Sequence, residues 1–215
     1  GSDGTIDIYI RGAGPTVGHI FSTAEPFDDE WHHVVFVQDN LERSIYVDGV
    51  LDDLAIAAKP DSGWDNLNAT TIGGILRGNA SHWVTGLIDE VAIWKRALSG
   101  EETALLHSEG LPGPVITENG LNLIASWDFN DDSDPAGSVD SVQGITGVFV
   151  GGAKYGEGRE GAGSALDING SATAAMLVED GEFLNTASSL NKVTFAFWQK
   201  VVTRTSSSSF WAFSP

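Results

Sequence analysis

The sequence predicts an all-β protein, an antiparallel β-sandwich with one short helix. Three observations lead to this prediction. The 26 glycines in 215 residues separate short apolar runs. About a dozen of those runs have the period of two, or the β-branched and aromatic content, that is typical of strands. A convincing helix start occurs in one segment alone, so the alternation of strands with long helices that a βαβ fold requires is absent.

The first half of the chain supplies six predicted strands. Residues 5–10 (TIDIYI) alternate polar and apolar side chains, which indicates a half-buried strand. Residues 33–38 (HVVFVQ) form a more continuous apolar run, which indicates deeper burial. Asp48-Gly49 between two β-rich runs is a strong hairpin signal. The six predicted strands are residues 5–10, 33–38, 44–47, 50–56, 70–73 and 86–94.

The predicted helix follows the last of these strands. Ser99 and Glu102 have the spacing of a capping box, in which each side chain bonds the other residue's backbone N–H. The helix covers residues 101–107 and stops before Gly110. Such a short helix needs support from packing.

A linker and a second set of strands complete the chain. Residues 111–120 (LPGPVITENG) contain two prolines and two glycines, which predicts a linker. The strands that we expect after it are residues 123–129, 147–150, 165–168, 174–178, 194–200 and 210–213.

The charge of the chain restricts its partners. Thirty acidic and 11 basic residues give a net charge of -19, which repels nucleic acid and anionic lipid. No apolar run approaches the length of a membrane span, so we expect no membrane insertion. The absence of cysteine excludes disulfides, thiolate metal sites and Cys nucleophiles. No signal peptide opens the sequence, so we expect any export signal to have been removed or to lie on a longer precursor.

Five motifs in residues 5–110 resemble the second half of a laminin-G-like domain. That domain belongs to the concanavalin A-like lectin/glucanase superfamily, and the resemblance is to its bacterial, pentraxin-like branch. It implies a concanavalin A-like jelly roll. The motifs are, in order, WHHVV (31–35), YVDG (46–49), IGG (72–74), GLIDEVAIW (86–94) and ALS (97–99).

The rest of the chain resembles the first half of the same domain, so the family order is inverted. The matching segments are WDF (127–129), DSVQG (140–144), GAGSALDING (161–170) and TFAFW (194–198). Reading from residue 209 through the end into residues 1–10 gives a strand, a turn rich in Pro and Gly, and a strand, which is a normal hairpin.

Two domain organisations agree with this inverted order. We predict one circularly permuted sandwich over residues 1–215, in which residues 1–110 are the family's second half, 111–120 the linker and 121–215 the first half. The alternative is a chain made of two half-domains cut from a tandem array. Each half alone would expose an apolar face, so we expect pairing within a monomer or between swapped copies.

We predict that the chain is not an enzyme. Hydrolytic relatives carry paired carboxylates on one strand, as E-x-D-x-E or E-x-D-x-x-E, and neither spacing occurs here. Glu101 and Glu102 begin the predicted helix, where acidic side chains are favoured by the helix dipole. A glycoside hydrolase or lyase is the remote alternative.

The family resemblance implies a structural calcium ion, since many members of the superfamily bind one. The candidate ligands are Asp89, Asp128 and Asp140, because carboxylates suit this hard cation. In a closed sandwich the first and last strands of the family order are neighbours, which would place Asp89 near Asp128. The alternative for Asp89 is a structural role, capping a turn or pairing with a basic residue.

Two tryptophans fall outside the strand motifs and suit ligand binding. Trp64 lies beside Asn66, and Trp83 follows His82. An aromatic ring with polar neighbours can stack on a sugar face while the neighbours bond its hydroxyl groups. The alternative is that these rings fold back over the sheet as a lid.

The sequence therefore predicts a non-catalytic recognition module, secreted or at the cell surface of a bacterium, with carbohydrate as its ligand and calcium as its ion. The alternative is an adhesion or spacer domain of a large surface protein, which would bind protein partners. The fold alone does not choose between these functions.

Overall fold

The structure is a computed structural model. It describes residues 4–11, 17–40, 42–56, 69–76, 82–110, 122–159, 163–168, 173–179, 181–202 and 210–213.

Fifteen strands occur in these ranges. They are β1 (Asp7–Arg11), β2 (Val17–Phe21), β3 (Trp31–Asp39), β4 (Glu42–Val47), β5 (Val50–Ile56), β6 (Ala69–Ile72), β7 (Gly86–Trp94), β8 (Leu123–Trp127), β9 (Gly137–Val139), β10 (Thr146–Val150), β11 (Lys154–Glu157), β12 (Ser164–Ile168), β13 (Ala175–Val178), β14 (Lys192–Val201) and β15 (Phe210–Phe213). All twelve predicted strands are present, and β2, β9 and β11 are additional.

Two short α-helices occur in the described ranges. The predicted helix is present as α1 (Gly100–Glu109), with both hydrogen bonds of the capping box between Ser99 and Glu102. A 3-10 turn (Gly181–Leu184) leads directly into α2 (Asn185–Leu190), which the sequence did not predict. Within the described ranges, no helix combines the length and the apolar character needed to span a membrane.

The strands form two large antiparallel sheets and a separate hairpin. The eight-stranded sheet has the order β11-β12-β7-β14-β3-β4-β5, and β8 also pairs with β7. The five-stranded sheet has the order β15-β6-β13-β10-β9. β1 and β2 pair only with each other among the described strands. This architecture confirms the predicted all-β antiparallel fold.

Each sheet contains strands from both segments of the chain. β14 lies between β3 and β7, and β6 lies between β13 and β15. The expected pairing of the family's first and last strands is present, since β8 pairs with β7 from Val91↔Trp127 to Trp94↔Leu123. The single permuted domain over residues 1–215 stays a prediction, and residues 111–120 lie outside the described ranges.

The expected hairpin between the two terminal strands is not formed by β15 and β1. β15 pairs with β6 in the five-stranded sheet, whereas β1 pairs with β2. Hydrogen bonding to β2 and to β6 therefore places the two terminal strands in different sheets. The residues that would join them are outside the described part of the chain.

The predicted hairpin at Asp48-Gly49 is confirmed. Val47 pairs with Val50, which leaves these two residues as the turn. Both have positive φ, 51° for Asp48 and 77° for Gly49, as a type I′ turn requires. Its twist matches that of the paired strands, so the turn fixes the register of β4 and β5.

The main core fills the space between the two sheets. Large buried side chains from both sheets contact one another there, including Ile45, Ile93, Trp127, Ile168 and Met176. A second apolar cluster lies on the opposite face of the eight-stranded sheet, where Leu98 and Leu106 pack against Val35 and Trp94. The helix α1 therefore covers part of the sheet's outer face through Leu106.

Candidate functional site

The structure places two of the four predicted ligand-binding residues. Trp64 and Asn66 lie outside the described ranges. Trp83 is half-buried and His82 is exposed, and they lie between β6 and β7. They present an aromatic ring and a polar ring at neighbouring positions of one loop.

The backbone around Trp83 is held by local contacts. The Val84 N–H donates to the Gly73 carbonyl at 2.9 Å, and Val84 itself is fully buried. The Thr71 hydroxyl donates to the Gly74 carbonyl. Trp83 Cβ lies 3.2 Å from the point where a Cβ on Gly74 would be, so a side chain there would displace the tryptophan. The backbone next to Trp83 is therefore held by hydrogen bonds, while part of the Trp83 side chain remains accessible.

Asp140, a predicted calcium ligand, has a structural role. It is 2% exposed, and its carboxylate accepts backbone N–H groups from Ser126, Val142 (3.0 Å) and Gln143 (2.6 Å). Three donors occupy both oxygens and join β8 to the turn after β9. Its oxygen atoms already have the partners that a buried carboxylate requires.

Asp89, the second predicted ligand, is also buried and bonded. It is 4% exposed and accepts the backbone N–H groups of Glu90 at 2.8 Å and Arg159 at 3.3 Å. Burial raises its pKa to about 7, and the negative charge of Glu90 adds to the rise, against the two backbone hydrogen bonds and the Arg159 charge. These contacts agree with the structural alternative for Asp89, and its role as a calcium ligand stays a prediction.

Asp128, the third predicted ligand, differs from the other two because it is exposed. Its carboxylate accepts the Asn130 N–H at 3.1 Å and is otherwise open to solvent. In the described ranges, no three His, Asp or Glu side chains are grouped so that they could hold a metal ion, so the structure does not bring the three candidates together.

A cluster that the sequence did not predict covers Asp89 on the outer face of the eight-stranded sheet. The Arg159 guanidinium lies over the Trp198 ring and 3.5 Å from a carboxylate oxygen of Glu90. The Trp198 ring is also in contact with His33 and His107, with ring centroids 5.1 Å and 5.4 Å away. We call His33, Glu90, His107, Arg159 and Trp198 the outer cluster.

The outer cluster is a packed structure rather than an open cleft. His33 is 2% exposed, and burial together with the nearby His107 lowers its pKa to about 3, so it is neutral at physiological pH. Asp89 lies beneath Arg159. A retaining glycosidase needs two carboxyl groups that converge on a bond of an accessible substrate. Asp89 and Glu90 do not meet this need, because Asp89 is buried beneath Arg159. The alternating pattern of residues 194–200 predicts that Trp198 shares a face with Thr194 and Ala196. It does not predict the contact of Trp198 with His107 on α1, which forms only in the folded chain.

A second accessible feature lies on the five-stranded sheet, on the face turned away from the core. A groove of about 430 Å³ is lined by Gln143, Gly144, Ile145, Thr146, Val148 and Glu179. Val148 is 43% exposed, and Val139 and Val142 nearby in the sequence are 60% and 41% exposed. The lining combines the polar side chains of Gln143, Thr146 and Glu179 with the aliphatic ones of Ile145 and Val148, and it contains no aromatic ring.

Known proteins give the fold a context. Residues 1–104 match a laminin G family model described as concanavalin A-like lectin/glucanases superfamily. Human adhesion G-protein coupled receptor D1 is 29% identical over 112 residues, which are 52% of this chain and 12% of the receptor. The chain thus spans about an eighth of that relative's length. No solved structure matches.

The matched region contains all five motifs of the predicted resemblance, and its strands form antiparallel sheets of the expected kind. Domains of this type are generally non-catalytic binding modules. The resemblance is confirmed: residues 1–104 of this chain match the family model of the concanavalin A-like lectin/glucanases superfamily.

Proposed function

We propose that this chain is a recognition module of an extracellular protein, without catalytic activity, and that its ligand is a carbohydrate. The observation that carries the proposal is the pair formed by His82 and Trp83. The Trp83 side chain is partly accessible and its backbone packs closely against Gly74, and exposed His82 adds a polar group beside it. A tryptophan side chain has only two rotatable bonds, so it loses little conformational entropy on binding, which suits stacking on a sugar.

A glycan array tests this proposal directly. The chain would be screened in calcium and again in EDTA, together with the variants Trp83→Ala and His82→Ala. We expect binding to a defined set of glycans, a loss of at least tenfold with Trp83→Ala and a smaller loss with His82→Ala. The matched control is Leu105→Ala on α1, which removes an exposed apolar side chain from the outer face of the other sheet.

The outcomes separate the ligand class from the ion. Binding that survives EDTA supports the carbohydrate proposal without calcium at the sugar. Binding that Trp83→Ala and Leu105→Ala leave equally strong overturns the proposed site. No binding by a folded sample in either buffer overturns the carbohydrate proposal.

The groove on the five-stranded sheet favours a second candidate function, adhesion through a protein partner. Exposed Val139 and Val148 offer aliphatic contact area, which is typical of protein surfaces that bind other proteins. The human relative carries the word adhesion in its name, which supports this candidate without identifying a partner.

Cell adhesion to immobilised protein distinguishes the two candidates. Cells whose surface glycans have been removed enzymatically would no longer adhere if carbohydrate is the ligand. If a protein is the partner, adhesion persists after this treatment, is lost with Val148→Glu and is retained with Leu105→Glu. Retention by both variants would contradict the groove as the binding surface.

A further inference from the structure

The outward face of the five-stranded sheet carries a strip of aliphatic side chains. Val148 on β10 is directly opposite Leu177 on β13, and their neighbours Phe149 and Met176 turn towards the main core. Successive side chains of a strand point to opposite faces, so Val148 and Leu177 point away from the core. Val139 on the adjacent strand β9 is 60% exposed. We call Val139, Val148 and Leu177 the aliphatic strip.

Glu179 makes one side of the aliphatic strip acidic. It is exposed, and it lines the groove together with Thr146 and Val148. Val148 is opposite Leu177, so continuing the register of β10 and β13 by two residues places Glu179 opposite Thr146. The groove therefore combines an aliphatic side chain of one strand with a carboxylate that follows the next strand.

Three aspartates border the other side of the strip. β9 is the edge strand of its sheet, and the Tyr155 hydroxyl lies 2.6 Å from the Gly137 carbonyl oxygen at the start of β9. The same hydroxyl lies 2.9 Å from the Asp131 carbonyl oxygen, so the exposed loop with Asp131, Asp132 and Asp134 lies beside β9. Burial raises the pKa of Tyr155, and the negative charges of these aspartates add to the rise. Carboxylates therefore flank the strip on both sides.

No cation balances these carboxylates within the five-stranded sheet. Its strands contain neither Lys nor Arg, and neither residue occurs in residues 97–153 or 160–191 of the sequence. Lys154 belongs to the eight-stranded sheet, where its Nζ lies 3.7 Å from a carboxylate oxygen of Asp167. Among the described residues that line the groove or border β9, every charged side chain is a carboxylate.

These charges decide what kind of molecule fits the strip. A second copy of this chain would bring the same carboxylates and a net charge of -19, so repulsion opposes self-association through this face. A sugar would find no aromatic ring among the lining residues. A protein segment with aliphatic and positively charged side chains complements both the strip and the carboxylates around it.

We propose that the aliphatic strip binds an extended segment of a protein partner in which an aliphatic residue and a Lys or Arg are two positions apart. Side chains two positions apart in an extended chain share a face and are about 7 Å from each other. Val148 and Thr146 have the same relation, so an aliphatic side chain on Val148 leaves the cation near Glu179. This partner chemistry rests on the second candidate function, adhesion through a protein partner.

Fluorescence anisotropy of labelled synthetic peptides tests the proposal. The probe peptide has one Val, a Lys two positions away on either side, and Ser elsewhere. Two matched peptides carry Glu in place of both Lys residues, or Ser in place of Val. We expect the probe to bind, the Glu peptide not to bind and the Val-free peptide to bind about 4- to 10-fold more weakly. Salt that shortens the Debye length from about 30 Å to about 3 Å should weaken binding of the probe.

Variants of the chain assign this binding to the strip. Glu179→Gln should weaken binding of the probe about 2- to 5-fold, as expected for one exposed ion pair, and Val148→Ser about 4- to 10-fold. The matched controls are Glu101→Gln on α1 and Val50→Ser on β5, which change the same residue types at exposed positions away from the five-stranded sheet. Both controls should bind the probe as tightly as the natural chain.

Three results would overturn the proposal. They are no binding of the probe, equally tight binding of either matched peptide, and equal effects of Glu179→Gln and Glu101→Gln. The last result would mean that the net charge of the chain attracts any cationic peptide.

The cell-adhesion experiment separates these results from a failure of the second candidate function. If the probe does not bind but adhesion is still lost with Val148→Glu, the protein partner is supported and the positively charged segment is wrong. If adhesion persists with Val148→Glu, the strip is not the binding surface and both are wrong.

Discussion

The guanidinium carbon of Arg159 lies 4.2 Å from the centroid of the Trp198 ring. Arg159 comes from the segment after β11, and Trp198 is in the middle of β14, so the contact joins a loop to a central strand of the eight-stranded sheet. Trp198 is 6% exposed, and the positive charge therefore lies over a largely desolvated ring face. A cation in this position is stabilised by the negative face of the ring.

We predict that Arg159→Gln lowers the free energy of unfolding by about 1–2 kcal/mol, since it removes the cation over the ring and the ion pair with Glu90. Urea unfolding measures this loss. The control is Lys154→Gln, because Lys154 is 64% exposed and 3.7 Å from Asp167. An exposed pair of that kind contributes less than about 0.5 kcal/mol. Equal losses in the two variants would contradict a specific role for the Arg159–Trp198 contact.

The pKa of Asp89 predicts how stability changes with pH. Its folded-state pKa is about 7, above the value of about 3.9 that an unfolded chain gives. The folded protein thus favours the protonated acid. Its contribution to stability is fully present below about pH 4 and is lost as pH rises to about 7, by up to about 4 kcal/mol.

We therefore expect Asp89→Asn to gain stability relative to the natural chain as the pH rises from 4 to 8. Urea unfolding of both proteins across this range measures the difference, and the exposed Asp128→Asn serves as the control. A difference between Asp89→Asn and the natural chain that does not change with pH would show that Asp89 is not protonated in the folded state.

Calcium binding stays a prediction, and the structure indicates which candidate ligand to test. The carboxylates of Asp89 and Asp140 already accept backbone N–H groups, whereas that of Asp128 is exposed. We expect 1 mM calcium to raise Tm relative to EDTA and Asp128→Asn to remove most of this difference. Magnesium at the same concentration is the control for ionic strength. Identical Tm values in calcium and EDTA would contradict a structural calcium ion.

The single permuted sandwich over residues 1–215 predicts that the two segments of the chain need each other. β14 pairs on both edges with strands of the other segment, β3 and β7. We expect peptides 1–110 and 121–215 to lack cooperative unfolding when separate and to regain it when mixed in equal amounts, as measured by circular dichroism.

A variant of the second peptide provides the control. Ala196 is 1% exposed and lies opposite both Val35 and Ala92, so Ala196→Pro should prevent the recovery. Cooperative unfolding of either peptide alone would instead support two half-domains from a tandem array.

Features with a local cause could be predicted from the sequence. The hairpin at Asp48-Gly49 follows from two residues that tolerate positive φ, and α1 follows from a capping box spanning four positions. The helix α2 could not be predicted, because it has six residues and is stabilised by packing of Ala187, next to the buried Leu184 of the preceding turn, in the core. Propensity contributes little to so short a helix.

The candidate site could be predicted only in part, because the sequence shows which residues are neighbours along the chain but not which distant residues come into contact. His82 and Trp83 are neighbours in the sequence, so their association was visible there. The contacts of Arg159 with Trp198 and of Gln38 with Asn191 join residues far apart in the chain, and an alternating pattern gives the face of a side chain without its partner. Asp140 had the residue type of a metal ligand, and only the fold showed that three backbone N–H groups already occupy it.

The position of β14 between β3 and β7 also has a consequence for how this chain acquires its structure. While a ribosome is still making the chain, the first seven strands have no central strand to pair with, because β14 begins at Lys192. The eight-stranded sheet can close only after β14 has been synthesised. Pairing between strands this far apart in the sequence predicts folding on a time scale of about milliseconds to seconds, with apolar strand edges open to chaperones until then.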